Sequence, residues 1–237
     1  MKNSSLRELF NSHSGKYIAK IDHFFDAYEK HFLSFQGKNI RLLEIGVDQG
    51  GSLELWGNYF GSQCELHGID INPDAIEKAP KHSTIHLGSQ GDISFLKSIA
   101  KNYGPFDIVI DDGSHLMNHQ TASFETIYPL MHSEGIYICE DAFTSYWHEY
   151  GGGLKKENTF MEYAKDLIDK LHAYWATDDD LHVSPFTLTT RGIYFYSGTV
   201  VFERGKVAKP IYAAKHQGGY SEISIADLKK AAATNMK

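Results

Sequence analysis

Leu42-Leu43-Glu44-Ile45-Gly46-Val47-Asp48-Gln49-Gly50-Gly51-Ser52 is the stretch on which the fold turns. Residues 41–47 form a short, mostly apolar run interrupted by Glu44 and read as a strand. The glycines after it let the backbone turn tightly and come close to a ligand. Ser52 can cap a helix predicted over 52–60, whose first N–H groups would face negative charge. Strand, glycine turn and helix in that order open a parallel sheet covered by helices.

The same alternation continues outward. Further strands are predicted at 64–71, 84–87, 106–110 and 135–139, with helices at 73–79, 93–101, near 120–131 and at 158–172. Two β-rich runs, 192–196 and 199–203, joined by Ser197-Gly198, read as an antiparallel hairpin on the sheet's edge. Upstream, Ile18, Ile21, Phe24, Phe25, Tyr28 and Phe32 recur at three- and four-residue steps and predict one apolar helix face, which Gly37 ends. The expectation is one domain over 1–237. It is a doubly wound, mostly parallel seven-stranded α/β sheet, with a helical segment over about 1–37 and a tail over about 206–237.

The 237 residues suffice for a full core. A formal net charge of −7, with no stripe of Lys and Arg, argues against a nucleic-acid partner. Cys64 and Cys139 lie in or beside apolar segments and are expected as buried reduced thiols. No run is long enough to span a bilayer and none resembles a signal peptide, so the expected location is the cytoplasm. A homo-oligomer is compatible with this composition.

Folds of this class bind ligands beyond the carboxyl ends of their strands, so the residues after each strand carry the function. Glu44, Gly46, Gly50 and Ser52 follow or close the first. Asp70 ends the second, 24 residues past Gly46, close to the distance at which an acid reaches a ribose diol. The Gly46-x-x-x-Gly50 spacing is not the tighter one of dinucleotide folds. Gly88-Ser89-Gln90-Gly91-Asp92 follows the third strand. The fourth runs into Asp111-Asp112-Gly113-Ser114-His115 and the fifth into Glu140-Asp141. Carboxylates so convergent need a cation or protons to neutralise them, and oxygen ligands suit Mg²⁺ better than Zn²⁺. Asp111 fits a cofactor contact or a loop cap equally well.

The acid-glycine turn followed by Asp70 resembles the adenosylmethionine fingerprint of class I methyltransferases. Residues 42–56 (LLEIGVDQGGSLELW), 68–71 (GIDI), 111–120 (DDGSHLMNHQ) and the Glu140-Asp141 pair further resemble the metal-dependent sugar O-methyltransferases of macrolide biosynthesis, the mycinamicin and macrocin type. The resemblance covers roughly residues 10–205. It implies S-adenosyl-L-methionine held by Glu44, Gly46, Gly50, Ser52, Asp70 and Asp111, with Gln90 and Asp92 towards adenine. It implies Mg²⁺ on Asp112, Glu140 and Asp141, His115 as general base, and a sugar or glycan hydroxyl as acceptor. The chain departs from that pattern with Glu at 140, where Asp is common, and with Ser14-Gly15-Lys16 in place of an Asp-Lys pair.

The chemistry agrees with that expectation. A metal ion acidifies a chelated hydroxyl, and imidazole, titrating near neutrality, can take its proton. Phe143, Tyr146, Trp147 and Tyr150, followed by Gly151-Gly152-Gly153, suit a mobile lid on which a sugar stacks. A catechol-like diol as acceptor and a non-catalytic cofactor-binding module are the alternative readings.

Overall fold

The computed structural model describes residues 4–177, 179–216 and 218–235. Two helices, α1 (Leu6–Asn11) and α2 (Phe24–Phe32), lead in. Five βα units follow: β1 (Ile40–Ile45), α3 (Gly51–Phe60), β2 (Cys64–Asp70), α4 (Ala75–Lys78), β3 (Ser83–Leu87), α5 (Ile93–Tyr103), β4 (Ile108–Asp111), α6 (Met117–Ile127), β5 (Ile136–Cys139) and α7 (Phe160–Leu171). Then come α8 (Pro185–Thr189), β6 (Thr190–Tyr196) and β7 (Thr199–Arg204). The chain finishes with β8 (Ile211–His216), β9 (Gly219–Ser224) and α9 (Ile225–Asn235).

Among the described residues, seven strands form one sheet in the order β3-β2-β1-β4-β5-β7-β6, and β8 and β9 form a separate antiparallel pair. β1 to β5 run parallel, while β7 is antiparallel to both β5 and β6. Side chains alternate across a strand, so β1 sends Leu42 to one apolar layer and Leu43 to the other. The first layer packs α2 and α3 on the sheet and the second packs α5, α6 and α7. Burial on both faces explains why apolar residues stand on both faces of β1, β4 and β5. Cys64 and Cys139 are buried and free.

Register brings the ligand end together. Ile45 pairs with Ile69 on one side and with Asp111 on the other, and Asp111 pairs with Cys139. Asp70, Gly46, Asp112 and Glu140 therefore leave the sheet at one level. The chain winds outward through β2 and β3 on one side of β1 and through β4 and β5 on the other. The crevice between β1 and β4 is thus the switch point where such sheets take ligands.

Three local expectations need correction. The helix predicted from Ile18 begins only at Phe24. Ile18 and Ile21 still pack on the first layer, but from irregular chain that crosses α3, where a Cβ on Gly51 would lie 2.3 Å from the Tyr17 carbonyl. Ser52 does not cap α3. Gly50 does, in the left-handed region at φ 77°, and Ser52 lies inside the helix with its hydroxyl turned to Glu44. The strand expected at 106–110 runs instead from Ile108 to Asp111, which draws Asp111 into the sheet.

Candidate functional site

A cavity of about 410 Å³ opens at the crevice. Gly46, Ser52, Asp70 and Gln90 line it, together with the backbone of the glycine turn, Tyr17 to Lys20 and the Asp112-Gly113-Ser114 turn. Asp70 shapes this wall. Its Oδ2 accepts from the amides of Val47 (2.9 Å) and Asp48 (3.1 Å), and its Oδ1 accepts from Asn72 N–H (2.8 Å). A carboxylate offers about four lone-pair sites, so acceptor capacity for a ribose diol remains. Ile71, beside it and exposed, gives the cavity an apolar edge.

The other expected cofactor contacts sit outside the lining. Glu44 is wholly buried and accepts from Ser52 Oγ at 2.7 Å and Trp56 Nε1 at 3.0 Å. Burial pushes its carboxyl up to about 7 against the opposing pull of Lys20 and those hydrogen bonds. Gly50 serves packing, since a Cβ there would meet the Lys78 carbonyl at 2.5 Å. Asp92 caps α5 by accepting from the amides of Ser94 and Phe95. Asp111, wholly buried, accepts from Gln90 Nε2 (2.5 Å) and the Tyr137 hydroxyl (2.8 Å). Burial raises Asp111 to about 7. Its role here is to fix Gln90, whose Oε1 accepts from Ser114 N–H at 2.9 Å on the cavity wall.

Beside the cavity lies the acidic rim. One ligand atom each from Asp112, His115 and Asp141 falls within 4.8 Å of the other two. His115 Nε2 is 3.5 Å from Asp141 Oδ2 and 4.0 Å from Asp112 Oδ1. Burial raises the Asp141 carboxyl, against the attraction of His115. His115 (φ 56°) and Asp141 (φ 49°) both occupy the left-handed region, a conformation held only where the surroundings enforce it. Thr144 supplies one restraint. Its hydroxyl lies 3.1 Å from the carbonyl of His115 and 2.8 Å from that of Asp141.

Glu140 stands behind this trio, almost fully buried, and burial pushes it up to about 8. Its Oε2 faces Lys20 Nζ at 2.9 Å, and the same ammonium is 2.5 Å from Asp112 Oδ2 and 4.0 Å from Glu44 Oε1. Burial opposes the charge on Lys20, but Asp112, Glu140 and Glu44 together hold it well above the ordinary lysine range. Neither Lys20 nor Thr144 is expected from sequence. Lys20 stands between Ile18 and Ile21 in sequence but off their apolar face, where a lysine carries no signal.

Carboxylates gathered from two strand ends beside an imidazole form an oxygen-rich donor set that fits a hard divalent cation. The cavity, with an acid on one wall and a glycine turn beneath, fits a nucleoside-bearing ligand. In the segment expected as a lid, each of the three glycines donates a backbone hydrogen bond. Gly152 N–H donates to the Trp147 carbonyl and Gly153 N–H to that of Ser145. Tyr146 and Trp147 are exposed, and the Tyr150 ring lies 6.4 Å from His115.

Comparison with known proteins agrees with this geometry. The chain is 34% identical to an 8-demethyl-8-(2-methoxy-alpha-L-rhamnosyl)-tetracenomycin-C 3'-O-methyltransferase of Streptomyces olivaceus, over 76% of this chain and 48% of that protein. It is also 34% identical to the mycinamicin VI 2''-O-methyltransferase of Micromonospora griseorubida, over 76% of this chain and 47% of that one. It therefore spans about half the length of the curated relatives it matches. The MycE methyltransferase of the mycinamycin biosynthetic pathway, crystallised in complex with Mg and SAH, superposes with a TM-score of 0.77 at 31% identity, over 86% of this chain and 55% of that one. A family model described as a methyltransferase domain matches residues 36–181. That match takes in β1 to β5, the glycine turn and the whole acidic rim, and the chain belongs to this methyltransferase domain family.

Proposed function

We propose that the chain is an S-adenosyl-L-methionine- and Mg²⁺-dependent O-methyltransferase acting on a hydroxyl of a sugar, borne by a small molecule or a glycan. The observation that carries this reading is the meeting of Asp112, His115 and Asp141 within 4.8 Å at the rim of the cavity. Named relatives that methylate sugar hydroxyls, and MycE bound to Mg, SAH and mycinamycin VI, support the substrate class.

In this reading Gly46, Ser52, Asp70 and Gln90 hold the cofactor, and Glu44, Gly50, Asp92 and Asp111 shape the wall that does so. Asp112 and Asp141, with Glu140 behind them, hold the metal ion. When bound, Mg²⁺ supplies Lewis-acid polarisation that lowers the pKa of an acceptor hydroxyl. His115 Nε2 takes the hydroxyl proton as general base. The cavity and the rim fix the methyl donor and the acceptor for in-line attack, and that positioning supplies much of the rate. Trp147 and Tyr150 offer faces for a sugar ring.

The acidic charge supports an acceptor other than nucleic acid. No described helix is long and apolar enough to cross a membrane, which is compatible with a cytoplasmic site of action. The test is a panel of glycosylated acceptors and catechols with methyl-labelled adenosylmethionine, run with EDTA and with added Mg²⁺. Label on a sugar hydroxyl, lost with EDTA and restored by Mg²⁺, is the expected result. Turnover in metal-stripped enzyme, or on catechols alone, contradicts the proposal.

A further inference from the structure

We infer that Lys20 is the resident cation of the acidic rim and competes with the divalent metal for it, so that metal loading expels its ammonium from between Asp112 and Glu140. The inference rests on the metal reading above. Lys20 Nζ contacts one oxygen of each acid, at 2.5 Å and 2.9 Å, with Glu44 Oε1 at 4.0 Å. The Lys20 side chain is only 2% exposed. These acids come from the ends of β1, β4 and β5, and among the described residues no other Lys or Arg forms an ion pair with Asp112, Glu140 or Glu44.

The ammonium thus does what a bound ion would do, neutralising carboxylates that cannot crowd together bare. It also takes the Asp112 and Glu140 oxygens that a hard cation needs. An ammonium and a divalent ion on the same two oxygens would repel at contact distance. The oxygens that face His115, on Asp112 and Asp141, remain open to an arriving ion. Lys20 stands on irregular chain between α1 and α2, outside any strand ladder, so its side chain can leave without breaking the sheet. It also lines the cofactor cavity, which gives the displaced side chain somewhere to go.

The experiment is calorimetric titration of Mn²⁺ into the wild type and Lys20→Met, paired with acetic anhydride labelling of wild-type Lys20 read by mass spectrometry. Removing one competing cation from a partly buried site should tighten Mn²⁺ by roughly tenfold or more. Lys20 should be protected from acetylation without metal and become reactive as Mn²⁺ saturates. Equal or weaker Mn²⁺ binding by Lys20→Met overturns the inference, as does a Lys20 that stays protected at saturating metal. The labelling arm needs no variant, so a misfolded Lys20→Met does not remove the test. If the folded wild type and folded variant both fail to bind Mn²⁺, the metal reading itself falls, a result distinct from binding that Lys20 does not oppose.

Discussion

The indole N–H of Trp56 donates to Glu44 Oε1 across 3.0 Å, and both side chains are wholly buried. The first acid of the glycine turn therefore ties the end of β1 to α3. Glu44→Ala should lower unfolding stability by about 3 kcal/mol, since it strands a buried indole N–H and removes acceptors charged in the ion-paired state. Glu44→Gln, which keeps an acceptor, should lose less. Denaturant melts of the three proteins check this. A Glu44→Ala protein of unchanged stability with lost cofactor affinity would show direct contact instead.

Asp70 has two tasks, holding the Val47 and Asp48 amides and facing the cavity. Asp70→Ala should weaken adenosylmethionine binding by about 10- to 100-fold, the scale of one or two hydrogen bonds to a charged group. Calorimetry that finds the affinity unchanged removes Asp70 from the cofactor site.

His115→Ala should lower kcat by about 10²- to 10⁴-fold, the usual loss for a missing general base. Adenosylmethionine affinity should change little, because His115 stands outside the cavity lining. Near-normal kcat in this variant would place the base elsewhere. A kcat loss matched by lost Mn²⁺ affinity would make His115 a metal ligand.

Thr144→Val removes the hydroxyl between the carbonyls of His115 and Asp141 at nearly constant volume. With two left-handed residues freed from that restraint, kcat should fall on the order of tenfold through misplaced reacting groups. Thr144→Ser should restore it. Equal loss in the Ser variant, or a fall in stability without a fall in kcat, argues against this positioning role.

Away from the site, the His86 ring stacks on His67 in a buried pair, their rings 5.4 Å apart. Burial, helped by His67, lowers His86 to about 4. The unfolded chain binds this proton from about pH 6.5 downward and the folded one only near pH 4, so stability is lost as the pH drops from about 6.5 to about 4. His86→Gln should flatten part of that slope. Urea midpoints at pH 7 and pH 5 measure it, and identical slopes in both proteins would refute the assignment.

The sequence by itself determined the parallel sheet, the glycine turn and the acids at the strand ends. Short, mostly apolar runs alternating with helical stretches mark the strands of a covered parallel sheet, and a residue that follows such a run stands at the rim. Asp112, His115, Glu140 and Asp141 were legible for that reason, as was Asp70. Tertiary structure decided which way each acid points. Glu44 lies within β1 and Asp111 on the last position of β4, so both side chains turn into packed layers, whereas Asp112, one step later, turns to the rim. Asp92 caps a helix because its side chain meets two free amides there. Lys20 meets Asp112 and Glu140 across 92 and 120 positions of chain. Periodicity records only local burial, and a contact over such separations exists only once register and chain crossing have been set.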